Sequence, residues 1–167
     1  MSRIANVETT GERQMSLVRV LIADDFDLWK GFVIARLQER RDLQIVGFAS
    51  DGVQAVQKAE ELQPDLILLD MMLPKLNGIE AARQIRKVAP QAKILFVSSE
   101  SDLELVRLAL RVGGGSGYVS KMEAAAGLLA GVEAVLRGER FVSPGLARRN
   151  DLMGAQDSDP EDEETAT

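Results

Sequence analysis

Three carboxylates, a hydroxyl and an ammonium stand at the ends of apolar runs that lie far apart in this 167-residue chain. Asp24 and Asp25 close "VRVLIADD", Asp70 closes "DLILLD", Ser98 belongs to "KILFVSS", and Lys121 follows "GYVS". Singly, each has an ordinary use: an Asp or Ser after a strand can cap the next helix, and a lone lysine is commonly a solvated surface residue. Together they describe a chemistry. Three acids brought to one place repel one another and stay ionised only with a cation between them. Oxygen ligands alone select Mg2+ or Mn2+. A carboxylate in such a site can attack phosphorus and form an acyl phosphate. Phosphoryl transfer needs little more than in-line positioning and neutralisation of the equatorial oxygens. On this reading Asp70 is the nucleophile, and Asp25 and Asp24 hold the metal, Asp24 through water. The backbone carbonyl of Met72 supplies a further ligand. Ser98 donates a hydrogen bond to one phosphoryl oxygen, and Lys121 pairs with another.

That reading requires the strand ends to meet. Val18–Asp24, Leu43–Ala49, Leu66–Asp70, Lys93–Ser99 and Gly117–Ser120 are short, aliphatic and rich in β-branched residues, as buried strands are. Between them lie stretches with helical spacing of apolar residues. Asp27–Arg40 carries Leu28, Trp29, Phe32, Val33 and Leu37. Asp51 is a predicted N-cap for "GVQAVQKAEEL", Gly78 opens a helix to about Val88, and "SDLELVRLALRV" starts on a Ser/Asp cap. "MEAAAGLLAGVEAVLRG" makes a fifth helix that ends at Gly138. Five strand–helix repeats predict an α/β fold: a doubly wound, five-stranded parallel sheet of order 2-1-3-4-5 with helices on both faces. In such sheets the site lies beyond the carboxyl ends of the strands, at the switch point between strands one and three. Asp24, Asp25 and Asp70 sit there.

Composition removes most alternatives. There are no cysteines and no histidines, so disulfide frameworks, thiolate zinc sites, cysteine nucleophiles and serine–histidine triads are excluded. The net charge is −6, from 20 basic and 26 acidic residues. The excess is carried by Asp157, Asp159, Glu161, Asp162, Glu163 and Glu164, beyond the last basic residue, Arg149. The rest of the chain is near neutral, which argues against a nucleic-acid surface. No apolar run approaches the roughly 18 residues of a membrane span, and "MSRIANVETTGERQMS" lacks the apolar core of a signal peptide. A cytoplasmic location is expected. Residues 1–16 read as a flexible arm, 17–139 as the folded domain, 140–153 as a linker-like segment and 154–167 as a disordered acidic tail.

The motifs "LIADD", "LLDMMLPKLNG", "VSS" and "GYVSK" resemble the CheY-like receiver domain of two-component response regulators, over about residues 17–139. "ALRVGGGSGYVSK" and "GERFVSPGLARR" are most similar to the NarL/FixJ-type subfamily. The resemblance implies that Asp70 is the phosphoacceptor for a sensor histidine kinase or histidine phosphotransfer protein. It implies metal binding by Asp24 and Asp25, phosphoryl contacts from Ser98 and Lys121, and a Ser98–Tyr118 switch. Met72 and Glu100 fall where the family tunes phosphoryl lifetime. The signal would pass to a downstream protein target through the fourth helix, fifth strand and fifth helix, possible homodimerisation included. No separate substrate turnover is implied.

Two further departures accompany it. The residues after Arg149 are too few for a helix-turn-helix output domain, so no direct DNA binding is expected. The run Gly113–Gly115 implies a looser loop before the fifth strand. Two enzyme readings are weaker: a haloacid-dehalogenase-type phosphatase would also use a strand-end Asp, but with a second aspartate two residues on, where this chain has Met72. A flavodoxin-like FMN domain would need a hydroxyl- and amide-rich phosphate loop where Asp24–Asp25 stand. The main alternative is a receiver-like module that binds partners constitutively without being phosphorylated.

Overall fold

Each aliphatic run becomes a parallel strand, and each amphipathic stretch a helix laid across it. The computed structural model describes residues 16–114 and 116–154, with side chains through 149. In chain order the elements are β1 (Val18–Ala23), α1 (Asp27–Leu37), β2 (Leu43–Ala49), α2 (Gly52–Leu62), β3 (Leu66–Leu69), α3 (Gly78–Val88), β4 (Lys93–Ser98) and α4 (Leu103–Val112). Then follow β5 (Gly117–Ser120), a single 3-10 turn (Lys121–Glu123), α5 (Ala124–Leu136), β6 (Phe141–Val142) and α6 (Pro144–Gly154). The sheet order is β2-β1-β3-β4-β5-β6, parallel throughout.

The strand side chains alternate between two apolar layers, which is why these strands are oily on both faces. Val20, Ile22, Leu66, Leu68, Leu95, Val97 and Val119 face α1 and α5, where Val33, Leu37, Leu128, Val132 and Val135 meet them. Leu21, Ile67, Leu69, Ile94, Phe96 and Tyr118 face α2, α3 and α4. A fully buried Leu or Ile contributes about 1.5–3 kcal/mol through removal from water. The central strands β3 and β4 therefore anchor the residues at their ends.

The caps expected at Asp51 and Asp102 are present, and Asn77 caps the helix that Gly78 opens. Asp51 accepts from the Gln54 N–H at 2.8 Å and Asn77 from the Glu80 N–H at 2.9 Å, while Asp102 accepts from Glu104 and Leu105.

The five-stranded sheet needs correction: a sixth strand, Phe141–Val142, extends it beyond β5. Gly138, at φ +78°, turns the chain back after α5. The Phe141 N–H then donates to the Ser116 carbonyl at 3.1 Å and Ser143 N–H to the Tyr118 carbonyl at 3.0 Å. Two residues are too short to show a strand period, so nothing in the pattern announces them. Leu146 on α6 is buried in the same apolar layer as Tyr118. The expected arm and acidic tail fall almost wholly on residues outside those described, as does Gly115. Among the described residues no helix is long and apolar enough to cross a membrane.

Candidate functional site

The carboxyl ends of β1 and β3 lie side by side, with Ala23 paired to Leu69. One residue further, the strands release Asp24 and Asp70 into a common crevice. The backbone still holds them there: the Asp70 N–H donates to the Ala23 carbonyl and the Asp24 N–H to the Ala49 carbonyl, each at 3.0 Å. Both side chains are buried, Asp24 to 2% exposure and Asp70 to 6%. One oxygen of each is committed locally. Asp24 Oδ1 accepts from the Phe26 N–H at 2.8 Å, and Asp70 Oδ1 from the Met72 N–H at 3.0 Å. Neither caps a helix: α1 starts on Phe26 without a side-chain cap, and α3 is capped by Asn77.

The second oxygens face one cation. Lys121 Nζ lies 2.7 Å from Asp24 Oδ2 and 3.1 Å from Asp70 Oδ2. It also stands 5.0 Å from the centroid of the Trp29 ring, a cation–π distance. Burial alone would lower the lysine pKa. The Asp24 hydrogen bond and the Asp70 charge outweigh it and hold the ammonium above its usual value. Burial raises the Asp24 carboxyl above the ordinary range, with Lys121 and the Phe26 N–H opposing it and the Asp70 charge adding to it. Asp25 is exposed, yet one carboxylate oxygen from each of Asp24, Asp25 and Asp70 lies within 4.8 Å of the others. Three hard oxygen donors at that spacing fit a small divalent ion such as Mg2+.

The loop after β3 is set by a close approach. The Gly78 N–H donates to the Met71 carbonyl at 2.8 Å. A Cβ at Gly78 would fall 2.2 Å from the Asp70 carbonyl oxygen and 2.7 Å from Met71 Cα. Only glycine lets the start of α3 rest on the phosphoacceptor candidate's own backbone.

A second polar chain begins at Ser98, at the end of β4, with 0% exposure. Its Oγ accepts from the Glu100 N–H at 3.2 Å. The Glu100 carbonyl in turn accepts from the Tyr118 O–H at 2.8 Å, so Glu100 bridges Ser98 and Tyr118 through its backbone. The Tyr118 ring is fully buried and stacks on Phe96 with centroids 6.2 Å apart. Burial pushes its pKa up to about 12.

Residues 20–133 match the response regulator receiver domain family. The chain belongs to that family. The receiver is 33% identical over 141 residues to the response regulator GacA of Pseudomonas viridiflava, covering 84% of this chain and 65% of GacA. It is 35% identical over 127 residues to the response regulator VraR of Staphylococcus aureus, covering 76% of this chain and 60% of VraR. The chain thus spans less than two-thirds of the length of these curated relatives. Among solved structures, a LuxR-family two-component response regulator from Aurantimonas superposes with a TM-score of 0.79 at 30% identity, over 84% of this chain and 99% of that one. The response regulator domain of Thermotoga maritima CheB gives 0.66 at 32% identity, over 72% and 97%.

In this receiver the fold gathers Asp24, Asp25, Asp70 and Lys121 directly, and places Ser98 and Tyr118 on the two neighbouring strands. The Glu100 carboxylate turns back onto the Ser101 and Asp102 N–H groups, each at 2.9 Å, and its backbone carbonyl makes the link to Tyr118. The Met72 side chain is 63% exposed at the mouth of the crevice. Trp29, read from the sequence as part of the apolar face of α1, is a further contributor to the site. Its signal is its place one helical turn after Asp25 on a face that must meet the sheet. The glycine run has a packing role as well: a Cβ at Gly113 would lie 2.8 Å from the Phe96 ring, which carries Tyr118.

Proposed function

We propose that this receiver accepts a phosphoryl group on Asp70 from a phosphohistidine of a sensor kinase or phosphotransfer protein. The donor histidine lies outside these 167 residues, which contain none. The observation that carries the proposal is the Lys121 ammonium shared by the buried Asp24 and Asp70 carboxylates, with Asp25 beside them. Asp70 Oδ2 attacks phosphorus, the P–N bond to the imidazole breaks, and an aspartyl phosphate forms as the imidazole leaves. Asp24, Asp25, Asp70 and the Met72 carbonyl are the residues that would hold Mg2+. When bound, that ion neutralises charge on the phosphoryl oxygens. Lys121 follows the charge from Asp70 Oδ2 to a phosphoryl oxygen.

The switch then follows from the second polar chain. A Ser98 hydroxyl that turns to donate to the phosphoryl group disturbs its bond from the Glu100 N–H, and the Tyr118–Glu100 link and the α4 loop respond together. The readout surface is α4, β5 and α5, and its target is a protein. Met72 and Glu100, at the mouth and above the crevice, set how readily water reaches the aspartyl phosphate.

The indole beside Lys121 provides the test. Trp29 is the chain's single tryptophan. Its fluorescence is expected to change saturably with Mg2+ and again with beryllofluoride, and Asp70→Asn is expected to remove the second change. A wild-type chain indifferent to both would reject this function in favour of a constitutive module.

A further inference from the structure

A groove of about 460 Å3 between α4 and the β6–α6 segment is untouched by the phosphoacceptor chemistry. Leu103, Leu110 and Leu146 contribute to its floor, and Arg107, Arg111 and Arg140 to its rim. No acidic residue lines it. Arg111 also borders the adjoining concavity between α3 and α4, together with Arg83, Arg86 and Lys87, against a single acid, Glu80. Arg111 and Arg140 are exposed, and neither forms an ion pair among the described residues. The groove is therefore an apolar trough rimmed by arginines, with Glu104 bordering the next concavity along α4, which Arg107 and Arg111 also line.

The charge that matches it is on the same chain. Six acids fall between Asp157 and Glu164 with no basic residue among them. They follow α6, whose Leu146 and Ala147 already form one wall of the groove. Arg149 on α6 donates to the Ser101 carbonyl at 3.1 Å, so α6 runs beside the start of α4. From Ala147 to Gly154 the helix advances about 10 Å. The segment from 155 to 164 can span about 33 Å when extended, enough to return along α4. Tethering at this distance gives an effective concentration on the order of millimolar. Weak exposed ion pairs can then be populated.

We propose that the acidic segment Asp157–Glu164 docks on the Arg107–Arg111–Arg140 rim of this groove and shields α4 from protein partners. The shielding rests on the function proposed above; the docking does not, and requires neither metal nor phosphate.

The test compares backbone amide NMR spectra of the full-length wild type with a full-length variant neutralised at the six acids (Asp157→Asn, Asp159→Asn, Glu161→Gln, Asp162→Asn, Glu163→Gln, Glu164→Gln). At about 20 mM salt the two are expected to differ at Leu103–Arg111 and Val142–Ala147. The difference is expected to vanish near 0.5 M, where screening shortens to a few ångströms. A double variant, Arg111→Glu with Arg140→Glu, is expected to reproduce the neutralised spectrum in these segments. Unchanged β1 and α1 resonances would verify its fold. Identical wild-type and neutralised spectra at low salt would overturn the proposal. So would differences that grow with protein concentration, since those assign the groove to a second copy of the chain. Phosphorylation on Asp70 is read separately, so either idea can fail alone.

Discussion

Lys121 is the residue on which the site's electrostatics turn. It compensates two carboxylates that are 2% and 6% exposed, and removing one partner of a buried pair leaves the other charge stranded. Lys121→Met is therefore expected to destabilise the metal-free protein by about 3 kcal/mol, measured by urea denaturation. Added Mg2+ is expected to restore part of the loss, because it binds the same oxygens in the folded state only. No loss, or a loss indifferent to Mg2+, would contradict this account. Tyr118 offers a second residue-scale measurement, since it is the only tyrosine. Its folded pKa is raised to about 12 from an unfolded value near 10. The fold thus favours the neutral phenol. Its contribution to stability is complete below pH 10 and is lost as the pH rises from there through about 12. Phenolate absorbance is expected to rise only in that upper window, together with alkaline unfolding. A reversible midpoint near 10 in the folded protein would place the ring outside its buried site.

At the level of elements, the β3–α3 connection holds Asp70, the proposed phosphoacceptor, in place. Gly78→Ala is expected to cost about 1–3 kcal/mol through overpacking, because its Cβ meets the Asp70 and Met71 backbone rather than a flexible side chain. Chemical denaturation measures the cost, and Mg2+ affinity should fall with it as Asp70 and Met72 shift. An alanine variant with wild-type stability and affinity would show that the loop can give way. Gly78 also shows how far sequence carries. Its place at a helix start is legible from the helical spacing that follows. Its contact with Asp70 is not, since it depends on how α3 returns to the sheet. The five main strands were readable because burial on both faces leaves unbroken aliphatic runs. Asp24, Asp25, Asp70, Ser98 and Lys121 were readable because each interrupts or follows such a run. The Lys121–Trp29 contact and the backbone role of Glu100 were not, because they depend on side-chain direction rather than on residue type.

Across the whole molecule, the segment read as a linker is joined to β5, the strand that carries Tyr118. Val142 is in register with Tyr118, the Ser143 N–H bonds the Tyr118 carbonyl, and Ser143 Oγ accepts from the Ser120 N–H at 2.8 Å. Whatever moves β5 therefore moves the start of α6, and with it the wall of the α4 groove. This route from the crevice to the far side of the sheet has meaning only if Asp70 is chemically charged with phosphate. Intact-mass analysis after incubation with acetyl phosphate addresses that most directly, comparing wild type with and without Mg2+ against Asp70→Ala. The account expects one added phosphoryl group on the wild type in Mg2+, none after chelation and none on Asp70→Ala. An unmodified wild-type chain, or an Asp70→Ala chain that still gains the group, would contradict it.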